Sequence, residues 1–223
     1  MAHAYTIEGA CVDIEVVVLG MLENNDYIIS DGQTTMVVDP TCDAEAIVAA
    51  AGERSIDAIV LTHAHFDHCG AACELRKLTN APVIASAIDA KIISREQPIP
   101  ADGRYFEPCE VDVRVEDGDV IEIGTMPWKV LVTPGHSLGS MCLFLAPQFG
   151  NHSDGVPVLI SGDTLFEGTI GRTDFSGGSM EDMRKSLKHL AVLPDETLVL
   201  PGHGNPTTIK AERRRVFAAY AQA

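Results

Sequence analysis

Apolar residues along this chain fall into short blocks cut by turn-forming residues. From Asp13 onward, IEVVVLG, DYIIS and TTMVVD read as strands separated by the turn-formers ENN and DGQ. DAEAIVAAAG (residues 43–52) predicts a helix, with Asp43 near its start and Gly52 as its stop. SIDAIVLTH then reads as a buried strand, GAACELRKL as a helix and APVIAS as another strand. Between Arg114 and Leu145 the pattern reverts to strands: VRVED, DVIEIG, PWKVLVT and SMCLFLA. GVPVLISGD is a further strand, Glu181 to Leu190 a helix, TLVLPGHG a strand and turn, and the tail from Thr208 a helix. This alternation signals a layered α/β fold with two groups of strands, each with helices nearby. No Pro-, Gly- or Ser-rich linker divides the chain, so residues 1–223 are expected to form a single domain.

One pattern recurs: an apolar strand that ends on a side chain able to bind a metal. It occurs at Asp39 (VVD), His63 (IVLTH), His136 (VLVTPGH), Asp163 (VLISGD) and His203 (LVLPGH). Strand ends are where α/β folds usually build their sites. In HAHFDH, His63 and His65 are one residue apart, which puts both rings on one side of an extended segment. Asp67 and His68 follow, offset enough to face a second ion. Imidazole and carboxylate donors suit zinc, iron or manganese. Each motif alone has a plainer explanation: a surface histidine pair, turn histidines at His136 and His203, a helix cap at Asp163. All of them together make a metal site. His3, His152 and His189 lack such context and are expected at the surface.

The chain is 46% hydrophobic and 22% charged, ordinary for a globular protein. A formal net charge of -16 argues against a nucleic-acid partner, which needs clustered Lys and Arg. The single basic cluster, Arg213 to Arg215, is expected to be a solvated helix end. The N-terminal apolar run lacks a basic leader and is interrupted by Asp13 and Glu15, so neither a signal peptide nor a membrane span is expected. Six scattered cysteines without disulfide spacing fit a reduced, cytoplasmic protein.

With HxHxDH at His63–His68 followed in order by His136, Asp163 and His203, the chain resembles the metallo-β-lactamase-fold hydrolases. The stretches GDTLFEGTIGRTDFSGGS and LPGHGNPTTI are most similar to the small glyoxalase II-like branch, whose members are typically hydroxyacylglutathione hydrolase-type thioesterases. The resemblance implies an αββα sandwich with the metals at one edge between the sheets. It implies that His63, His65 and His136 bind one ion, that Asp67, His68 and His203 bind a second, and that Asp163 bridges them. The cofactor expected is a pair of divalent ions, zinc first, with iron or manganese as alternatives. Full-length glyoxalase II carries a C-terminal helical domain with glutathione contacts, and the sequence after TTIKAERRRVF does not supply one.

The implied reaction is hydrolysis of a small-molecule thioester such as an S-2-hydroxyacyl-glutathione. Two ions lower the pKa of a shared water toward ~7, and the hydroxide attacks the thioester carbonyl while an ion stabilises the oxyanion. Asp67 is expected to be both ligand and orienting acceptor, and no side-chain nucleophile is needed. Cys42 and Cys69 are read as small packing residues. Asp39 is expected either to hold a ligand or water by hydrogen bonds, or simply to cap the strand before Pro40. Arg172 is open between a substrate carboxylate and a loop staple to Asp174. Phe166 and Phe175 either wall the pocket or belong to the core. The main alternative is a persulfide dioxygenase of the same fold holding one iron through His63, His136 and Asp163; PGHGN departs from that branch. A non-catalytic metal-binding protein is a further alternative. Nuclease and β-lactamase activities are disfavoured.

Overall fold

The computed structural model describes residues 3–221. Strands β1 (His3–Thr6), β2 (Asp13–Leu19), β3 (Asn24–Ser30) and β4 (Thr35–Val38) form an antiparallel meander. After helix α1 (Ala44–Ala51), strand β5 (Ala58–Leu61) adds in parallel to β4. The short helix α2 (Phe66–Cys69) and helix α3 (Ala72–Thr79) lead to β6 (Val83–Ser86), and the turn of helix α4 (Ala90–Ile93) precedes β7 (Val113–Val115). These seven strands lie in chain order in one sheet. The second sheet contains β8 (Val120–Ile123), β9 (Met126–Val132), β10 (Met141–Leu145) and β11 (Val158–Gly162). After a small hairpin, β12 (Leu165–Phe166) with β13 (Thr169–Ile170), and helix α5 (Met180–Leu190), it is completed by β14 (Leu198–Pro201) and β15 (Thr207–Thr208). Its order is β15-β14-β11-β10-β9-β8, with only β11 and β14 parallel. Helix α6 (Ile209–Glu212) runs on into a π-helical turn series, Arg213–Ala221.

Side chains one residue apart on a strand face opposite ways, and here both faces are buried. Tyr27, Ile29, Met36, Val38 and Val60 point between the sheets and meet Trp128, Val130, Met141, Leu143 and Ile160. Their neighbours Ile28, Val37, Ile59 and Leu61 point outward against Ile47, Leu75 and Ile93 of the first helix layer. Leu131, Cys142, Leu159 and Val199 point outward from the second sheet, against Met183, Leu187, Val216 and Phe217. This is the expected αββα sandwich of mixed sheets. Helix α1 is capped as predicted, with the Asp43 carboxylate accepting from Ala46 N and Gly52 ending the helix.

One predicted turn lies earlier than its turn-formers ENN suggest. Asn24 and Asn25 open β3 instead, both buried, because a loop from the far end of the chain supplies their partners. Asn25 N donates to Gly202 O at 2.8 Å, and its Nδ2 donates to Pro201 O and Gly204 O at 3.0 and 2.9 Å. The turn itself is Gly20 to Glu23, with Glu23 at φ +53°. No helix among the described residues is long and apolar enough to cross a membrane.

Candidate metal centre

His63 follows the last residue of β5 by two positions, and His65 caps α2. Asp67 and His68 then lie in the first turn of that helix, so the change from extended to helical backbone separates the two pairs. His136 sits in the β9–β10 loop, Asp163 just after β11 and His203 just after β14. All seven predicted side chains converge at one edge of the sandwich. Three groups have donor atoms within 4.8 Å of one another: His63, His65 and His136; His63, His68 and Asp163; Asp67, His68 and His203. Asp163 lies between the outer two, its Oδ2 at 3.5 Å from His136 Nε2 and 3.6 Å from His203 Nε2.

The partners of the outward-facing ring nitrogens decide which way the lone pairs point. His136 Nδ1 donates to Arg172 O at 2.9 Å, and His203 Nδ1 donates to Leu22 O at 3.0 Å. His68 Nδ1 donates to Asp39 Oδ2 at 2.8 Å. The Thr62 hydroxyl gives its proton to the same Asp39 oxygen at 2.6 Å, so it can only accept from His63 Nδ1 at 3.0 Å. Each of these four rings therefore turns Nε2 inward. His63 Nε2 and His136 Nε2 lie 3.0 and 2.9 Å from His65 Nδ1.

Three neutral imidazole nitrogens at such distances have too few protons to satisfy one another. The second cluster converges as closely. Asn24 Nδ2, with two protons, faces Asp67 Oδ2, His203 Nε2 and His68 Nε2 at 3.2, 3.3 and 3.4 Å. Asp163 Oδ1 is buried with no hydrogen-bond partner. An acceptor-rich cluster of nitrogen and carboxylate donors, with one carboxylate oxygen unpaired, is what divalent cations fit.

The electrostatics divide the same way. Burial, helped by the neighbouring imidazoles, pushes His63 well below the ordinary histidine range and His65 down to about 4, so both stay neutral. Burial also lowers His136, against the pull of Asp163. For His68 burial acts downward too, but the Asp163 and Asp39 carboxylates outweigh it and raise this group well above its usual value. Burial would raise Asp163, yet His68 and the other imidazoles hold it down at about 2.

Asp39 answers one open question, since it holds ligands. Its Oδ1 takes Thr62 N at 2.7 Å, its Oδ2 takes Thr62 Oγ1 and His68 Nδ1, and its backbone adopts φ +53°, a conformation aspartate tolerates better than most residues. Asp89 was missed by sequence reasoning. It is 1% exposed, and its Oδ2 accepts from Ala64 N at 2.9 Å and Ser137 Oγ at 3.2 Å, tying the His63–His65 segment to the His136 loop. Nothing in the sequence around IDAKI marks it. Gly202 is the other constraint. A Cβ there would lie 2.4 Å from Asp163 Oδ1 and 2.5 Å from His68 Cε1, so the PGHG turn needs glycine to approach the cluster.

A cavity of about 780 Å³ opens over the cluster. Its apolar wall includes Phe66, Ile99, Pro100, Phe166 and Phe175, so both sequence-flagged phenylalanines line it. Arg172 is bound to Asp174 by two hydrogen bonds of 2.7 and 2.8 Å, the loop staple expected as one of its two roles. Cys69 is buried, with its thiol donating to His63 O at 3.1 Å, and all six cysteines are free. His3, His152 and His189 are exposed, with His152 paired to Asp13 at 2.8 Å.

Comparison with known proteins agrees with this geometry. An uncharacterized protein of Aquifex aeolicus is 36% identical over 90% of this chain and 93% of its own length. The probable metallo-hydrolase YqgX of Bacillus subtilis is 32% identical over 87% and 92%. The hydroxyacylglutathione hydrolase GloC of Haemophilus influenzae is 29% identical over 91% and 96%. Among solved structures, BLEG-1, a B3 metallo-beta-lactamase, superposes with a TM-score of 0.78 at 30% identity, covering 99% of this chain and 100% of that one. TTHA1623 in a di-iron-bound form gives 0.71 at 31% identity, covering 90% and 97%. ETHE1 from Myxococcus xanthus gives 0.67 at 26% identity, covering 96% and 82%. The family model for the metallo-beta-lactamase superfamily matches residues 19–203, a span that runs from the hairpin supporting His203 to His203 itself, and the chain belongs to that superfamily.

Proposed function

We propose that this metallo-hydrolase fold cleaves thioesters, with S-2-hydroxyacyl-glutathione compounds as the first substrate class to test. The observation that carries this reading is the state of the acids in the cavity. Apart from the ligand cluster, its wall has two carboxylates, Asp102 and Glu167, and both are engaged. Asp102 accepts from Ser176 N at 2.7 Å, while Glu167 takes Asn205 Nδ2 and Arg215 Nη1 at 3.2 and 3.3 Å. An alkoxide or amine leaving group calls for a general acid, whereas a thiolate leaves without one. The likeness to GloC supports the same choice.

In this reading His63, His65 and His136 would hold one divalent ion and Asp67, His68 and His203 a second, with Asp163 between. Such ions would polarise the thioester carbonyl and acidify the attacking water. Zinc is the first candidate, with iron or manganese as alternatives that the donor set also suits; TTHA1623 has a di-iron-bound form. Asp67 Oδ2, held by Asn24 Nδ2, orients the water and accepts its proton. The phenyl walls keep bulk solvent from the reacting carbon. The water oxygen bonds to that carbon, the C–S bond breaks, and the sulfur leaves as a thiolate that takes its proton from solvent.

Two other readings each have an observation behind them. His63, His136 and Asp163 are present as the three-residue set a single iron would need. The whole-length likeness to BLEG-1 is the observation behind β-lactam hydrolysis, the reading that the sequence disfavours. The deciding experiment follows loss of thioester absorbance from S-lactoylglutathione with metal-loaded protein, beside Asp67→Ala. Turnover that disappears in the variant is the expected result. Nitrocefin cleavage without thioester turnover would replace the reading with a β-lactamase, and oxygen uptake with glutathione persulfide would replace it with a dioxygenase.

A further inference from the structure

Two arginines line the cavity, and each lies over a phenyl ring of its wall. Arg172 Cζ is 3.7 Å from the Phe175 ring centroid, and Arg104 Cζ is 5.0 Å from that of Phe66. A guanidinium placed over an aromatic face keeps its N–H edge free to grip an acceptor. The two differ in what they grip. Arg172 spends its edge on both oxygens of Asp174. Arg104 has no ion pair and no hydrogen-bond acceptor among the described residues. The cavity's acids outside the cluster, Asp102 and Glu167, are already engaged, as described above.

Arg104 is also held in place by its loop. Gly103 N donates to Pro100 O at 2.9 Å, and a Cβ on Gly103 would lie 2.5 Å from Ile99 Cγ2, so the turn before Arg104 is tight. The Asp102–Ser176 hydrogen bond ties that turn to the GRTDF loop. Phe66, under the guanidinium, stands between the ligands His65 and Asp67. An unneutralised, solvent-exposed cation thus lines a mainly apolar cavity over the cluster, in a strongly acidic chain.

We propose that Arg104 is a specificity-determining residue that recognises a free carboxylate on the thioester substrate, at a distance from the bond that breaks. The planar guanidinium edge matches a carboxylate through two parallel hydrogen bonds. The proposal deepens the thioesterase reading and rests on it for the position of the bond.

The test uses charge-matched pairs. S-lactoylglutathione is compared with its dimethyl ester, which removes carboxylates from the thiol side. S-adipoyl-N-acetylcysteamine is compared with its methyl ester, which removes one from the acyl side. The expected result is a preference in kcat/KM of roughly tenfold or more for the acid member of at least one pair. That ratio falls to about one in Arg104→Met and is intermediate in Arg104→Lys. Because it is taken within each variant, partial misfolding cancels. Equal rates within both pairs, or a preference that survives Arg104→Met, overturn the role of Arg104 and leave thioester cleavage standing. If none of the four is hydrolysed, the thioesterase reading falls. Calorimetric binding of uncleavable S-methylglutathione against its dimethyl ester then decides, and Arg104 keeps its role only if acid-selective binding is seen and is lost in Arg104→Met.

Discussion

The cluster has two halves that use similar side chains but are supported differently. His63, His65 and His136 are held from behind by the Asp39–Thr62 relay, the Arg172 carbonyl and Asp89, and burial keeps all three imidazoles uncharged. In the other half Asp67 and His68 are buried as well, and only His203 reaches the rim, as His65 does in the first. His203 is a quarter exposed, and its Nδ1 is oriented by the carbonyl of Leu22, on an exposed hairpin tip. Its half contains a carboxylate, and nearby acids raise the affinity of both of its histidines for protons. The first half is an all-histidine site of uncharged imidazoles; the second must lose protons and keep a surface turn in place to bind an ion. The difference predicts unequal retention of two ions, with the ion of the His203 half, the rim ion, lost first.

The sharpest way to break the comparison is to remove one ligand from each half. Both His136→Ala and His203→Ala are expected to lower activity by ~10²-fold or more, since each half contributes to the reacting centre. Metal content should separate them. After dialysis against a weak chelator, His203→Ala retains one ion per chain, whereas His136→Ala also loses the tighter one. Equal loss from both variants would mean that the halves do not differ as their surroundings suggest. Gly202→Ala comes next in size. Its methyl group meets Asp163 and His68 together, so a stability loss of about 1–3 kcal/mol in denaturant melts is expected, with weakened metal binding in both halves.

Much of this was legible in the sequence, and the limits have physical causes. Strand and helix periodicity located the two sheets because both faces of the inner strands are buried, so apolar runs such as AIVL and VLIS end cleanly at polar residues. The seven cluster residues were legible because ligand chemistry narrows the choice to His and Asp at strand ends. What sequence could not show was support that comes from elsewhere in the chain. Asn24 resembles a turn residue until Gly202 and His203 are folded against it. Asp89 lies outside every motif, and only the fold brings it to Ala64 and Ser137. β1 was overlooked because its residues are largely exposed and it gains order only by pairing with β2.

Asp89 provides a finer test. Asp89→Ala removes an acceptor shared by the two loops that carry the all-histidine half. A fall of ~10–100-fold in affinity for the ion of that half is expected, as for other residues that orient ligands. Competition with a chromogenic chelator would measure it, and the rim ion should be affected much less. If both ions weaken equally, Asp89 supports the fold as a whole and the two halves are not separable.

The smallest effect expected is one of pH, and its sign is fixed by burial. Burial pushes the Asp89 carboxyl up to about 6 from an ordinary 3.8, against the lowering effect of the Ala64 and Gly139 amides and the Ser137 hydroxyl. Between these values the folded chain keeps a proton that the unfolded chain has released. The stabilising contribution of this group is therefore present below about pH 4 and is lost as the pH rises through 6, with a slope that cannot exceed about 1.4 kcal/mol per pH unit. Asp89→Asn cannot titrate there. Urea melts of the two metal-free proteins from pH 4 to 7 should show the wild-type advantage over Asp89→Asn shrinking as pH rises to 6 and then levelling off. An advantage that grows instead would mean that the three donors outweigh burial, and that Asp89 clamps the all-histidine half as a carboxylate across the whole range.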